Sequence, residues 1–280
     1  MSQNINQLNR LSTFASHHCG PRPSQSLLTF RLSTFGLLLS FSLLTLQSCG
    51  LDVEDPTPPS PPIWVEKSLP EEWPERGIDA DESEGINLEW NPNLEDNISF
   101  YLIFRAEYFE VNDSVGEFDF LSRIEMESSS NLEYIDVDAT QRLKYFYRLQ
   151  AEDLSDNRSA YSDSIGYTLL PQISANQMIP NGLSEVPSYN RRLTWYYANN
   201  IEMENYCITI LTLEGDFLLR KILNPGNYVN GYETWFIPDS IILESNRVYK
   251  WRIDTGAKYY AGIESAGSES PWATFLYIAE

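Results

Sequence analysis

Tyr145-Phe146-Tyr147-Arg148-Leu149-Gln150-Ala151 carries Tyr145, Tyr147, Leu149 and Ala151 at every second position. A period of two puts these four on one face of an extended strand, the pattern of an antiparallel sheet with one buried side. The same alternation runs through Ile86, Leu88 and Trp90 upstream, and through Leu193 with Trp195 and Tyr249 with Trp251 and Ile253 downstream. Turn-forming pieces separate the runs: Asn91-Pro92-Asn93, Glu152-Asp153-Leu154-Ser155-Asp156-Asn157, Leu223-Asn224-Pro225-Gly226-Asn227 and Ala266-Gly267-Ser268. No stretch after residue 50 sustains a helical period.

These runs belong to an internal repeat. Leu88 and Trp90 recur as Leu193 and Trp195, and Tyr101 and Ile103 as Tyr206 and Ile208, all displaced by 105 residues. Tyr145, Tyr147, Leu149 and Ala151 recur as Tyr249, Trp251, Ile253 and Thr255, displaced by 104. One unit is used twice, and about seven short strands in a unit of this length predict a β-sandwich. The expected boundaries are 63–170 for the first sandwich and 171–280 for the second, divided at Pro171.

The N-terminal part answers to other demands. Residues 1–48 hold Arg10, Arg22 and Arg31 and no acid. From Phe35 to Leu46 the chain is apolar over a length that fits a signal-peptide core of roughly 7–15 residues and falls short of the roughly 20 needed to span a bilayer. Leu46-Gln47-Ser48-Cys49-Gly50 then resembles the lipobox of bacterial lipoproteins, which implies cleavage before Cys49 and acylation of its thiol. The stretch before it, reaching back to Met1, is longer than the usual 15 to 30 or so residues of a signal peptide, and a start near Leu28 gives an ordinary length. Residues 49–62, with Asp52-Val53-Glu54-Asp55 and five prolines from Pro56 to Pro62, read as an extended tether. Acids just after the lipidated cysteine resemble the surface-export signal of Bacteroidetes-type lipoproteins. The expected address is the cell envelope, on the outer membrane, at its periplasmic face or at the cell surface.

The whole chain carries a net charge of −21, and loss of the three N-terminal arginines makes the exported part three charges more negative. Such a surface repels nucleic acid and anionic headgroups, so membrane attachment falls to the lipid on Cys49. His17 and His18 are the only histidines, and both precede the cleavage point. Ser-His-Asp and Cys-His catalysis and His-containing zinc sites are therefore missing from the exported part by inventory. There is no P-loop, GxGxxG, GxSxG or Ser-x-x-Lys motif. Asp79, Asp81 and Ser83 begin like a calcium loop, but Glu84 and Trp90 stand where that loop needs glycine and an acid. Asp136 with Asp138, and Asp153 with Asp156, are expected as solvated turn acids. Cys19 leaves with the signal and Cys49 takes the lipid, so Cys207 has no partner for a disulfide and is expected as a buried thiol. No cofactor or metal and no catalytic residue is implied.

Within the repeat, the residues resemble the fibronectin type III family. Trp90 and Trp195 match the buried tryptophan ending its strand B, and Tyr101 and Tyr206 the tyrosine opening strand C. Tyr145 and Tyr249 match its tyrosine corner, whose hydroxyl bonds back to the E–F connection. Ser159-Ala160-Tyr161-Ser162 resembles the entry to its strand G. The second unit departs there, reading Pro271-Trp272-Ala273-Thr274-Phe275 after a longer F–G connection. The resemblance implies an all-β chain of two tandem fibronectin-type-III-like antiparallel sandwiches acting as a non-catalytic binding or presenting module. A structural spacer and an accessory glycan-binding subunit of a polysaccharide-uptake system are the alternatives. Asp113-Ser114-Val115, Asp163-Ser164-Ile165 and Asp239-Ser240-Ile241 resemble the acceptors of Bacteroidetes O-glycosylation.

Candidate binding residues are aromatic. Phe100, Phe104, Phe146 and Tyr167 are expected as sheet packing. Tyr196 and Tyr197 at the end of strand B, with Lys258, Tyr259 and Tyr260 in the F–G connection, are expected at the loops of the distal second sandwich, where they would form a platform for a protein or glycan partner.

Overall fold

Strands form where the alternation predicts them. The computed structural model describes residues 56–126, 132–197, 203–226, 228–229, 232–260 and 263–279; Cys49 and the signal segment lie outside these. The first repeat folds into β1 (Ile63–Trp64), β2 (Asp79–Asp81), β3 (Gly85–Asn91), β4 (Ile98–Phe109), β5 (Ser114–Val115), β6 (Asp119–Glu125), β7 (Glu133–Asp136), β8 (Lys144–Asp153) and β9 (Ile165–Leu169). The second gives β10 (Met178–Ile179), β11 (Ser184–Pro187), β12 (Arg192–Trp195), β13 (Asn205–Thr212), β14 (Phe217–Leu223), β15 (Tyr228–Val229), β16 (Tyr232–Phe236), β17 (Arg247–Tyr260), β18 (Ile263–Glu269) and β19 (Ala273–Ile278). Among the described residues the one helical piece is a single 3-10 turn at Ala175–Gln177.

In the first repeat β3 pairs with β1 and β2 along one edge and with β7 along the other. The facing sheet runs β6–β4–β8–β9. Ile86, Leu88 and Trp90 from the first layer meet Tyr101, Ile103, Tyr147 and Leu149 from the second in one buried cluster. The second repeat repeats the plan, β10–β12–β16–β15 facing β14–β13–β17–β19 with β11 added in parallel to β19. Its cluster holds Leu193, Trp195, Tyr206, Ile208, Trp251 and Ile253. The chain is thus all-β, two tandem fibronectin-type-III-like antiparallel sandwiches.

The aromatic landmarks recur with the same geometry. Trp90 meets Tyr101 edge to face at 5.6 Å, and Trp195 meets Tyr206 at 5.4 Å. Burying such rings supplies a large apolar area with a directional contact. The hydroxyl of Tyr145 accepts the Thr140 N–H at 3.4 Å, and that of Tyr249 accepts the Glu244 N–H at 2.7 Å, so both close the bend before strand F.

The departure in the second unit is a strand that outruns its sandwich. β17 pairs with β19 over Arg247–Trp251 and then with β18 over Asp254–Tyr260. Ser270-Pro271-Trp272 interrupts the ladder between them, where proline has no N–H to give. The expected F–G loop is therefore a β-hairpin. Its return strand reaches the first sandwich: Ala266 and Gly267 of β18 pair in parallel with Thr168 and Leu169 of β9, and the Leu170 N–H donates to Gly267 O at 2.8 Å. Leu170, Ala257 and Ala266 form a small buried apolar patch at this seam.

Candidate functional site

Two equivalent sheet faces, one in each sandwich, are built alike and surrounded differently. On an antiparallel pair, residues directly opposite one another share a face. In the second sandwich Thr209 of β13 lies opposite Arg220 of β14 and Arg252 of β17, on the side away from the core. In the first sandwich Phe104 of β4 lies opposite Phe120 of β6 and Arg148 of β8. The repeat offsets carry Phe104 onto Thr209 and Arg148 onto Arg252.

In the second sandwich this face is covered from within the chain. The residues between β1 and β2, 65–78, leave the edge of β3 and lap over it. Gly77 permits the exit with φ +83, close against the Lys67 backbone. Pro70 O accepts from Arg220 Nε at 2.7 Å, and Cys207 Sγ lies 3.6 Å from the same oxygen. Glu75 pairs with Arg220 through one carboxylate oxygen and with Arg252 through the other. Trp73 stacks on Phe217 at 6.3 Å, and both guanidiniums lie over its ring. Arg252 also holds Glu269 in a two-point pair at 2.7 and 2.5 Å and lies over Trp272. Arg220 reaches Asp254 at 3.0 Å and Thr209 Oγ1 at 2.7 Å. Beside them Lys67 pairs with Asp79 at 2.5 Å.

Burial, with Asp254 and Asp79 nearby, pushes the Glu75 carboxyl up to about 7 against the pull of the two arginines. Burial raises Glu269 as well, despite Arg252. Oxygens of Glu75, Asp254 and Glu269 lie within 4.8 Å of one another, a spacing that suits a cation. Two guanidiniums already contact those oxygens, so their charge is met inside the chain. A cleft of about 190 Å³ lined by Trp73, Glu75, Asp79, Arg252 and Glu269 opens beside the cluster. Cys207 is buried here, as expected, and burial raises its thiol pKa, which keeps it a poor nucleophile.

In the first sandwich no described segment laps over the corresponding face. Arg148 lies 4.2 Å from the Phe118 ring centre and 6.0 Å from that of Tyr161. Phe104 meets Phe120 at 5.9 Å and Tyr161 at 5.2 Å, both edge to face. Along the sheet Arg123 caps Phe100 at 3.4 Å, and Lys144 lies over Tyr108 and Phe146. These contacts are all made within the first sandwich. Phe120 is 60% exposed and Tyr161 46%. Phe100, Phe104 and Phe146, expected as sheet packing, take the positions that alternate with the core and pack half-buried on the outer face, while Tyr167 of that set is in the core itself. The alternation names two faces, and these three phenylalanines belong to the one away from Tyr145, Tyr147 and Leu149.

The tyrosines singled out from sequence are placed differently. Tyr196 is 42% exposed, its ring tilted against Tyr232 at 5.7 Å. Tyr197 packs against the second core. Tyr259 and Tyr260 are rungs of the hairpin, opposite Glu264 and Ile263, and Lys258 precedes them on β17. Because β18 returns along β9, the F–G hairpin that carries them runs at the junction with the first sandwich. Asp136, expected as a solvated acid, is wholly buried and accepts from Arg105 Nη1 at 2.8 Å and the Tyr147 hydroxyl at 2.8 Å, because β7 ends against the inward-facing Arg105. Asp153, expected likewise, is buried in its own turn, accepting the Ser155 and Asn157 N–H groups.

No family model and no curated protein matches the chain. Among solved structures it is similar to the FN1–FN3 domains of chicken CNTN1, at 16% identity over 80% of this chain and 68% of that one, with a TM-score of 0.28. It is also similar to a two-domain fibronectin type III segment of chicken tenascin, at 12% identity over 78% of this chain and 97% of that one, with a TM-score of 0.26.

Proposed function

We propose that this chain is a non-catalytic cell-envelope lipoprotein, held to the outer membrane through Cys49, that binds a protein partner on the outer face of its first sandwich. The observation that carries the reading is Arg148. It is a half-buried guanidinium stacked among rings, and among the described residues it enters no ion pair. Aromatic residues, phenylalanine among them, and arginine are enriched at protein interfaces, and arginine and tyrosine are among the residues that dominate their energy. The rings meet edge to face, and cations cover Phe100, Phe118 and Phe146. That arrangement offers no open row of ring faces for sugars and favours a protein partner over a glycan.

The test places a photo-crosslinking amino acid at Phe120 on the first sandwich and, separately, at Ile242, which is 84% exposed on the second. Protein adducts formed in intact cells at 120 and not at 242 are expected. Equal or absent adducts return the weight to a structural spacer. Cys49→Ala should release the chain into the aqueous fraction, because acyl burial at about 0.8 kcal/mol per CH₂ holds it; a variant that stays with membranes sinks the anchoring.

A further inference from the structure

The second sandwich shows what its face binds, and the first carries the same face unoccupied by any described segment. Register makes the correspondence residue by residue. Arg148 stands opposite Phe104 as Arg252 stands opposite Thr209. The next landmark is a serine hydroxyl accepting a strand-F amide. Ser162 Oγ accepts the Leu149 N–H and Ser270 Oγ accepts the Ile253 N–H, each at 2.9 Å. Each serine then donates to the carbonyl of the following residue, Asp163 or Pro271. Tyr161 therefore holds the place of Glu269. Arg252 has two carboxylates, Glu269 from its own sandwich and Glu75 from the lapping segment, with Trp73 over its plane. Arg148 has neither. Its plane rests on Phe118, and no hydrogen bond of its five N–H donors is made to any described residue.

A guanidinium stacked on a ring is held in place while its edge stays free, and a planar fork of donors fits a carboxylate in two-point contact. The neighbouring position adds the second half of the specification. Where Arg220 helps to hold Glu75, the first sandwich presents Phe120, mostly exposed and backed by Phe104. The site thus offers one fixed cation beside one exposed ring, on a chain whose net charge is −21.

We propose, resting on the reading that this face binds a protein, that its partner inserts a polypeptide loop bearing a carboxylate within a few residues of an aromatic side chain. The carboxylate meets the Arg148 edge and the ring packs on Phe120 and Tyr161. The chain's own Trp73-Pro74-Glu75, seated on the sister face, is the internal precedent for such a loop.

The probe is a random-peptide display library panned on the full chain, with a set of oligouronates as the competing carboxylate source. Enriched peptides should carry Asp or Glu close to Trp, Tyr or Phe. Their affinity should drop at least tenfold in Arg148→Ala and severalfold in Arg148→Lys, which keeps the charge and loses the fork. Unchanged amide exchange across β4 and β8 in both variants keeps the readout free of misfolding. Enrichment without acids, or with equal affinity for Arg148→Ala, overturns the proposal while leaving a protein-binding face. Oligouronates that bind through Arg148 while no peptide does overturn it together with the protein reading. No binding of either probe overturns the assignment of Arg148 as a recognition residue, and the crosslinking at 120 then decides the broader function by itself.

Discussion

Tyr145 and Tyr249 hold the same corner of the same fold with unequal bonds. The Tyr249 hydroxyl accepts at 2.7 Å and the Tyr145 hydroxyl at 3.4 Å, near the limit of a useful contact. Tyr249→Phe should therefore cost about 1 kcal/mol of unfolding free energy, and Tyr145→Phe distinctly less, measured by urea denaturation of the full chain. Equal losses would mean that the corner works through packing alone. Both tyrosines, with Trp90 and Trp195, were readable from sequence, because a large ring at a fixed place in an alternating run leaves few options for the strand. Arg148 was readable only as a residue between core positions. What sets it apart is that no described residue stands around it where Glu75 and Glu269 stand around Arg252, and no local pattern encodes a missing neighbour.

At the scale of elements, the segment 65–78 differs most from what a sandwich needs. Alternation finds strands because it is local, and it is silent here because Trp73 and Glu75 are satisfied by residues far along the chain. The hairpin of β17 and β18 is hidden in the sequence for the related reason that Gly256, Gly262 and Gly267 read as loop. The exit of the lapping segment hinges on Gly77. A side chain there would meet the Lys67 backbone at 2.7 Å with φ at +83, a conformation that costs other residues strain. Gly77→Ala is expected to destabilise by more than about 1 kcal/mol. The accompanying signal should be loss of protection in 65–78 while β3 and β8 stay protected in hydrogen exchange. A variant that exchanges like wild type in this segment would show that the lap does not depend on Gly77.

Across the whole molecule, the seam sets four carboxylates, Glu75, Asp79, Asp254 and Glu269, against three cations, Lys67, Arg220 and Arg252. Arg76, engaged with Glu89, and Asp81 line the adjoining cleft. Burial, together with the excess negative charge of Asp254 and Asp79, pushes the Glu75 carboxyl up to about 7 against Arg252 and Arg220. Its docked pKa lies above the value of 4.5 for the exposed group, so docking takes up a proton. The contribution is complete below about pH 4.5 and lost as pH rises through about 7. Protection of the Leu170 amide, which bonds across the seam, should fall roughly tenfold between pH 5.5 and 8 relative to the Tyr147 amide, after correction for intrinsic exchange. Glu75→Gln should flatten that dependence. An unchanged slope in the variant would place the proton elsewhere.

The lap of 65–78 over the second sandwich also orders events in time. Glu75 and Arg252 are 177 residues apart, and a ribosome delivers the first long before the second. The first sandwich can close its core while Trp73 and Glu75 still lack their surface. Contacts of such sequence separation form slowly, since loop closure precedes any reward. Until β17 arrives, a tryptophan and an acid stand exposed beside an unpaired edge of β9, so a newly made chain passes through a stage in which it is a better target for chaperones and proteases than the finished one.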